Sequence, residues 1–292
     1  LGYGSGMIFP SMYAMAGSVW KEGGRKAFNA LYVSQNLGVA IGAALGGYVA
    51  SFSFEWIFIA NTIMYVIFLG IALFGYKGIQ TAAAVQSPAL KSAPVIKNYT
   101  RLYALLILCA GYSLCWVGYV QWQTTIASFT QELNISLRQY SFLWAINGAL
   151  IVLGQPVVNM LVKHIKSLKT QINIGILIFI VSFIIASGAQ EFSAFFAGMV
   201  VLTIGEMLVW PAVPTIANVL APKGREGFYQ GIVNSMATGG RMIGPLLGGL
   251  LVDIYGVSML FVIIIILLAI SMVTTVLYDK KLKQIKTYAH AS

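Results

Sequence analysis

Two ionisable side chains stand deep inside otherwise apolar runs. Glu206 is at the midpoint of the run 192–220, and Arg241 is one residue past the midpoint of the run 228–252. A charge at the centre of a membrane helix costs about 2.5–3.5 kcal/mol on insertion scales, which makes each residue a functional-site candidate. Burial favours the neutral form of a carboxyl, whereas a nearby arginine favours its ionised form. A site whose arginine moves between two conformations can therefore load and release a proton. On this logic Glu206 is the candidate proton-coupling carboxylate. Arg241 is its partner or an anion-recognising group. The competing reading is a permanent ion pair that never titrates.

A second constellation is aromatic and amide. Tyr112, Trp116, Tyr119 and Gln123 recur at i, i+4, i+7 and i+11, one face of a helix. Trp144, Asn147, Gln155 and Asn159 form a stripe on the run 139–162. Thr203, Glu206 and Trp210 share a face of 192–220, and Asn234, Thr238 and Arg241 lie on 228–252. Polar residues gathered on one side of a membrane helix point into the bundle, because lipid offers them no partner. Flat aromatic faces beside one acid suit bulky apolar cations, through stacking and cation–π attraction. Trp20, Trp56 and Trp122, near the ends of their runs, read instead as members of interfacial belts.

These residues need a membrane bundle to position them. Of the 292 residues 59% are hydrophobic and only 9% are charged, with a mean hydropathy of +0.83. Soluble domains carry roughly 25% charged residues, so a soluble enzyme, a disordered chain and a nucleic-acid-binding domain are all excluded. A helix needs about 20 apolar residues to cross the hydrocarbon core. Nine runs qualify: 1–20, 27–50, 56–75, 102–129, 139–162, 170–189, 192–220, 228–252 and 257–278. None alternates with the period of a membrane strand, so the expected fold is an all-α bundle. Basic residues cluster after alternate runs, in the groups Lys21–Lys26, Lys77–Arg101, Lys163–Lys169, Lys223–Arg225 and Lys280–Lys286. The intervening loops hold Glu55, Glu132, Arg138, Glu191 and Asp253. By the positive-inside rule the basic loops and the C-terminus are cytoplasmic. The net charge of +10 is then topology rather than a nucleic-acid surface.

An internal repeat organises the runs. Arg25-Lys26-Ala27-Phe28 followed by Gly38, Gly42-Ala43 and Gly46-Gly47 recurs as Arg225-Glu226-Gly227-Phe228 followed by Gly240, Gly244-Pro245 and Gly248-Gly249. Met7, Pro10 and Gly24 likewise correspond to Met207, Pro211 and Gly224. Residues 1–75 thus read as the second half of a six-helix bundle, 76–101 as a cytoplasmic linker rich in Ala, Pro and Lys, 102–279 as a complete six-helix bundle, and 280–292 as a basic cytoplasmic tail. On that count about three helices would precede Leu1, and the whole would have twelve. Small residues at i, i+4 and i+8 let helices approach closely in lipid, whether the interface is static or moves. The helix-packing motif comprises Gly38, Gly42, Gly46, Gly47, Gly240, Gly244, Pro245, Gly248 and Gly249.

Paired halves of this kind belong to secondary transporters. The chain resembles the major facilitator superfamily, matching its helices 4 to 12, and within it the bacterial drug:proton antiporters. The opening Gly2-Tyr3-Gly4-Ser5-Gly6 with Pro10 is similar to the tail of an Arg-x3-Gly-x-Gly motif of the family. The antiporter Gly-Pro-x2-Gly-Gly motif carries Ala43 in place of proline and stands intact at Gly244–Gly249 instead. In the resembled family the helices corresponding to 1–20, 102–129 and 192–220 line the cavity. The resemblance implies proton-coupled efflux of amphipathic drugs or toxic compounds by alternating access in a bacterial cell membrane. The partners would be a small-molecule substrate, protons and the lipid bilayer. The rival readings are a proton-coupled importer of a small anion or nutrient, with Arg241 on the substrate, and a non-transporting membrane protein that kept the fold. No phosphate-binding glycine loop, metal-ligand spacing or disulfide framework occurs, so no cofactor and no enzyme is expected beyond the proton gradient as energy source.

Overall fold

The structure, a computed structural model, describes residues 2–50, 53–77 and 99–282. Most of the linker, the tail from residue 283, and the surroundings of Gly46 and Gly47 lie outside the described residues. Each of the nine apolar runs is helical, and two of them are interrupted. The helices are α1 (Gly2–Val19), α2 (Arg25–Ala50), α3 (Phe54–Gly70), α4 (Thr100–Tyr119), α5 (Thr125–Glu132), α6 (Leu137–Leu153), α7 (Gln155–His164), α8 (Leu168–Ser187), α9 (Phe192–Leu220), α10 (Glu226–Tyr255) and α11 (Val257–Leu277). Among the described residues, five helical stretches suffice to cross a membrane by length and composition, and the pair α6–α7, taken as one span, makes a sixth. The helices α1, α2 and α10 fall short of that test because glycines and polar side chains dilute their apolar content.

The run 102–129 is α4, a 3-10 turn over Val120–Trp122, and then α5. The run 139–162 is α6 and α7, bent by 58°. Pro156 lies just past Gly154 at this bend, and a proline has no N–H to donate to the carbonyl of residue 152. The bend corrects the single stripe expected from Trp144 to Asn159, because residues on either side of it no longer share a face. Serine side chains cap the starts of α3, α6 and α8. Ser136 and Gln139 form a reciprocal capping box on α6, and Ser167 accepts from the Thr170 amide on α8.

The core runs through α4, α8, α9 and α11, where Leu105, Leu108, Phe179, Phe183, Phe195 and Phe261 are buried. The helices α8 and α9 touch backbone to backbone. A Cβ on Gly175 would lie 2.8 Å from the Gly205 carbonyl oxygen, and one on Gly205 would lie 2.8 Å from that of Gly175. Ser182 donates to the Gly198 carbonyl across the same seam, 2.7 Å away. Trp122, expected at the membrane interface, is instead fully buried against Phe183 and Gly198. Trp20 and Trp56 remain exposed. The apolar window of α3 buries nothing against protein, as suits a helix facing lipid.

Three glycines of the motif form a contact. Gly240, Gly244 and Gly248 lie against α4 and the turn after it, facing Ser113, Val117 and Gln121. Gln121, fully buried, donates to the Gly244 carbonyl at 2.7 Å and to the Val117 carbonyl at 3.0 Å. At Gly38, Gly42 and Gly249 nothing among the described residues lies within 4 Å of where a Cβ would go. The two copies of the repeat share one backbone device. Gly24 and Gly224 both have positive φ, which releases the chain into α2 and α10.

The pair α1–α2 meets the remaining helices through α1 on α10 and α2 on α9 and α6. Pro211 leaves the Met207 carbonyl of α9 without its helical donor, and the Arg25 guanidinium takes that place at 2.8 Å. One turn on, the Asn29 amide donates to Gln155 at 2.6 Å.

Candidate functional site

Between α1–α2 and the group α4, α6, α9 and α10 lies a cavity of about 600 Å³, within the usual range for small-molecule sites of about 300–1,000 Å³. Its wall is built on the predicted aromatic stripe of α4. The rings of Trp116 and Trp210 stack at 4.5 Å with 8° between their planes. Tyr112 and Tyr119 meet this pair edge-on, Tyr112 at 6.2 and 5.5 Å, Tyr119 at 5.4 and 5.4 Å. Edge-to-face contacts on both sides hold the stack upright, the geometry that aromatic quadrupoles favour.

Beneath the stack sits Glu206, 1% exposed. Its carboxylate oxygens accept from the Asn147 amide of α6 and, at 3.1 Å, from the Trp210 indole N–H one turn further along α9. The same Asn147 amide donates to the Thr203 hydroxyl at 2.9 Å, and Thr203 donates to the Met199 carbonyl. A buried carboxyl held by neutral donors keeps its acceptor sites filled without a cation. The only ion pair among the described residues is Lys169–Asp279, far from this site in the chain.

Of the two roles expected for Arg241, pairing with Glu206 is not the one seen in this arrangement. Its guanidinium carbon lies 4.6 Å from the centre of the Trp116 ring, and Nη2 donates to the Thr238 hydroxyl at 3.1 Å. Arg241 and Glu206 are therefore connected through the stacked indoles rather than by contact. Depth in the membrane is legible in sequence, but the direction in which a side chain turns at that depth is not.

The cavity wall holds Tyr112, Trp116, Tyr119, Gln123, Trp144, Asn147, Trp210 and Asn234 from the predicted set, together with Glu206 and Arg241. Four residues of the expected stripes, Gln155, Asn159, Thr203 and Thr238, stand elsewhere. Thr203 is fully buried behind the wall and supports Asn147. Gln155, beyond the bend, is engaged with Asn29 and the Ile151 carbonyl. The wall also includes residues that sequence reasoning missed: Phe9 and Tyr13 of α1, Tyr32, Gln35 and Asn36 of α2, and Gln230 of α10. Tyr13 donates to Gln35 at 3.2 Å, tying α1 to α2 at the cavity. The signal for α2 was present, since Tyr32, Gln35, Asn36 and Val39 fall at i, i+3, i+4 and i+7. Among the described residues no cluster of His, Cys, Asp or Glu could hold a metal ion.

Comparison with known proteins agrees with this architecture. The family model described as Major Facilitator Superfamily matches residues 1–166 and 123–288. A protein described as an uncharacterized MFS-type transporter, YttB of Bacillus subtilis (strain 168), is 60% identical over 287 residues, covering 98% of this chain and 72% of that protein. A second, YqjV of the same organism, is 23% identical over 235 residues, covering 78% of this chain and 56% of that protein.

Proposed function

Because the chain belongs to the Major Facilitator Superfamily, a family of membrane transporters, we propose that it works in proton-coupled efflux of amphipathic, aromatic cations by alternating access. The observation that carries this is the position of Glu206, a buried carboxyl beneath the aromatic wall of a substrate-sized cavity, with one of its donors supplied by that wall. Glu206 takes up a proton in one conformation and releases it in the other. Trp210 touches both the carboxylate and the stacked surface offered to substrate, so occupancy of the cavity reaches the proton site through a single ring. The proton gradient supplies the energy. In this proposal the linker 76–101 and the C-terminus face the cytoplasm of a bacterial cell, by the distribution of Lys and Arg. Residues 1–75 complete the N-terminal bundle of a twelve-helix transporter, and 102–279 form its C-terminal bundle.

One observation favours a second reading. Arg241 reaches the cavity without a carboxylate partner among the described residues, which suits proton-coupled uptake of a small anion. Cells expressing the full-length protein separate the two. Efflux should clear ethidium faster than in control cells, and Glu206→Gln should abolish the difference. Accumulation of a carboxylate anion with no change in ethidium would replace efflux by uptake.

A further inference from the structure

Arg241 occupies a surface that looks made for something else. The two faces of Trp116 are used differently: one lies on Trp210, and the guanidinium of Arg241 rests over the ring at 4.6 Å. A cation within about 6 Å of an indole centroid is held by the ring quadrupole, more strongly when water is excluded. The ring cannot tilt away, because Tyr112 and Tyr119 brace the stack edge-on. The arginine, by contrast, is loosely held. Its polar tether is one hydroxyl, Thr238, at 3.1 Å; both residues are exposed, and Arg241 lines the cavity. Lys169 illustrates the opposite case, a cation locked by Asp279 and the Val276 carbonyl at 2.6 and 2.5 Å.

We infer that the Trp116 face is the cation subsite of the cavity, and that Arg241 is a tethered occupant that a planar aromatic cation must displace in order to bind. This inference rests on the cation-efflux reading above and adds the place where the charge goes and the residue that sets the affinity. Arg241 is thus a specificity-determining residue. It holds the subsite in the empty transporter, keeps weakly stacking cations out, and yields to ligands whose extended rings cover Trp116 better than a guanidinium does. A flat polycyclic cation replaces the guanidinium on the same quadrupole, so the aromatic wall never stands uncovered.

The test is ethidium binding to the full-length protein in detergent micelles, followed by ethidium fluorescence, in a double-mutant cycle of Arg241→Gln and Trp116→Leu. Removing the competitor should tighten ethidium binding on the order of tenfold, the factor that an indole–cation contact is worth. In the Trp116→Leu background the same Arg241→Gln change should have an effect of no more than about twofold, because no shared face remains to compete for. Equal tightening in both backgrounds would show that Arg241 acts only through its charge, and would overturn the subsite. Weaker binding in Arg241→Gln would make the arginine a ligand for substrate, and would overturn it as well. Added guanidinium ion, at non-denaturing concentration, decides the matter if Trp116→Leu does not fold. It should compete with ethidium in Arg241→Gln and not in the wild type, and equal competition in both contradicts the inference. Absence of ethidium binding in every variant would instead remove the cation-efflux reading itself, and the subsite with it.

Discussion

A methyl group added at Gly240 tests the link between helix packing and the cavity. On Gly240 a Cβ would lie 2.5 Å from the Ser113 carbonyl oxygen and 2.7 Å from the Trp116 Cβ, where ordinary contact begins at 3.4 Å. Part of the obstacle is backbone, which cannot rotate aside. To accept alanine, α10 must therefore withdraw from α4 by several tenths of an ångström, or Trp116 must shift. Overpacking of this kind costs about 1–3 kcal/mol. Alanine also gains about 0.8–1 kcal/mol of helix propensity over glycine, and that gain must be removed from the comparison. Gly239, the adjacent residue, has nothing within 4 Å of its added Cβ and gains the same propensity. Measured against Gly239→Ala, Gly240→Ala should be less stable by about 1–3 kcal/mol in a mixed-micelle unfolding titration. It should also bind ethidium several-fold more weakly, because the displaced atom belongs to the stacked wall. Equal stability and equal ethidium binding in the two variants would refute the claim that α10 packs on α4 through this stripe and thereby positions Trp116.

Other perturbations follow from single contacts. Asn147→Leu removes a donor from Glu206 and from Thr203 together. Losing a hydrogen bond to a charged group costs about 1.5–3 kcal/mol, so substrate-driven proton movement should fall sharply while the protein still reaches the membrane. Arg25→Ala leaves the Met207 carbonyl beside Pro211 without a donor. Hydrogen exchange should rise in the Met207–Pro214 segment of α9, and unchanged exchange would show that the α2–α9 contact contributes nothing to holding these helices together. Asp279→Asn breaks the pair with Lys169, whose side chains are 23% and 16% exposed for Lys169 and Asp279 respectively. A partly solvated pair is worth about 1 kcal/mol at most, so stability should change slightly and ethidium efflux not at all.

Hydropathy located the helices well, because the requirement that membrane-buried backbone satisfy itself leaves helix as the outcome for each apolar run. It did not locate the breaks. The turn after Tyr119 and the bend at Gly154 fall where the runs turn locally polar, at Gln121–Thr125 and Gly154-Gln155-Pro156, but the apolar flanks keep the average high and carry it across both breaks. The face of α4 was legible because bulky polar aromatics at helical spacing leave one solution for where they point. The contribution of α2 was missed because its glycines drew attention to packing, yet a Cβ on Gly38 or Gly42 would meet nothing within 4 Å among the described residues, while Tyr32, Gln35 and Asn36 line the cavity. The relation of Glu206 to Arg241 was beyond sequence altogether. Both side chains sit at mid-depth, but the stack of Trp116 on Trp210 comes between them, and it depends on how α4 and α9 cross.

The central claim, that Glu206 couples proton movement to cation binding in the aromatic cavity, is tested most directly in liposomes. The full-length protein is reconstituted around a pH-sensitive dye, and ethidium is added on one side. Ethidium-dependent proton movement in the wild type and none in Glu206→Gln, with ethidium binding retained in both, is the predicted result. Proton movement that survives Glu206→Gln would contradict the account and move coupling away from this carboxylate.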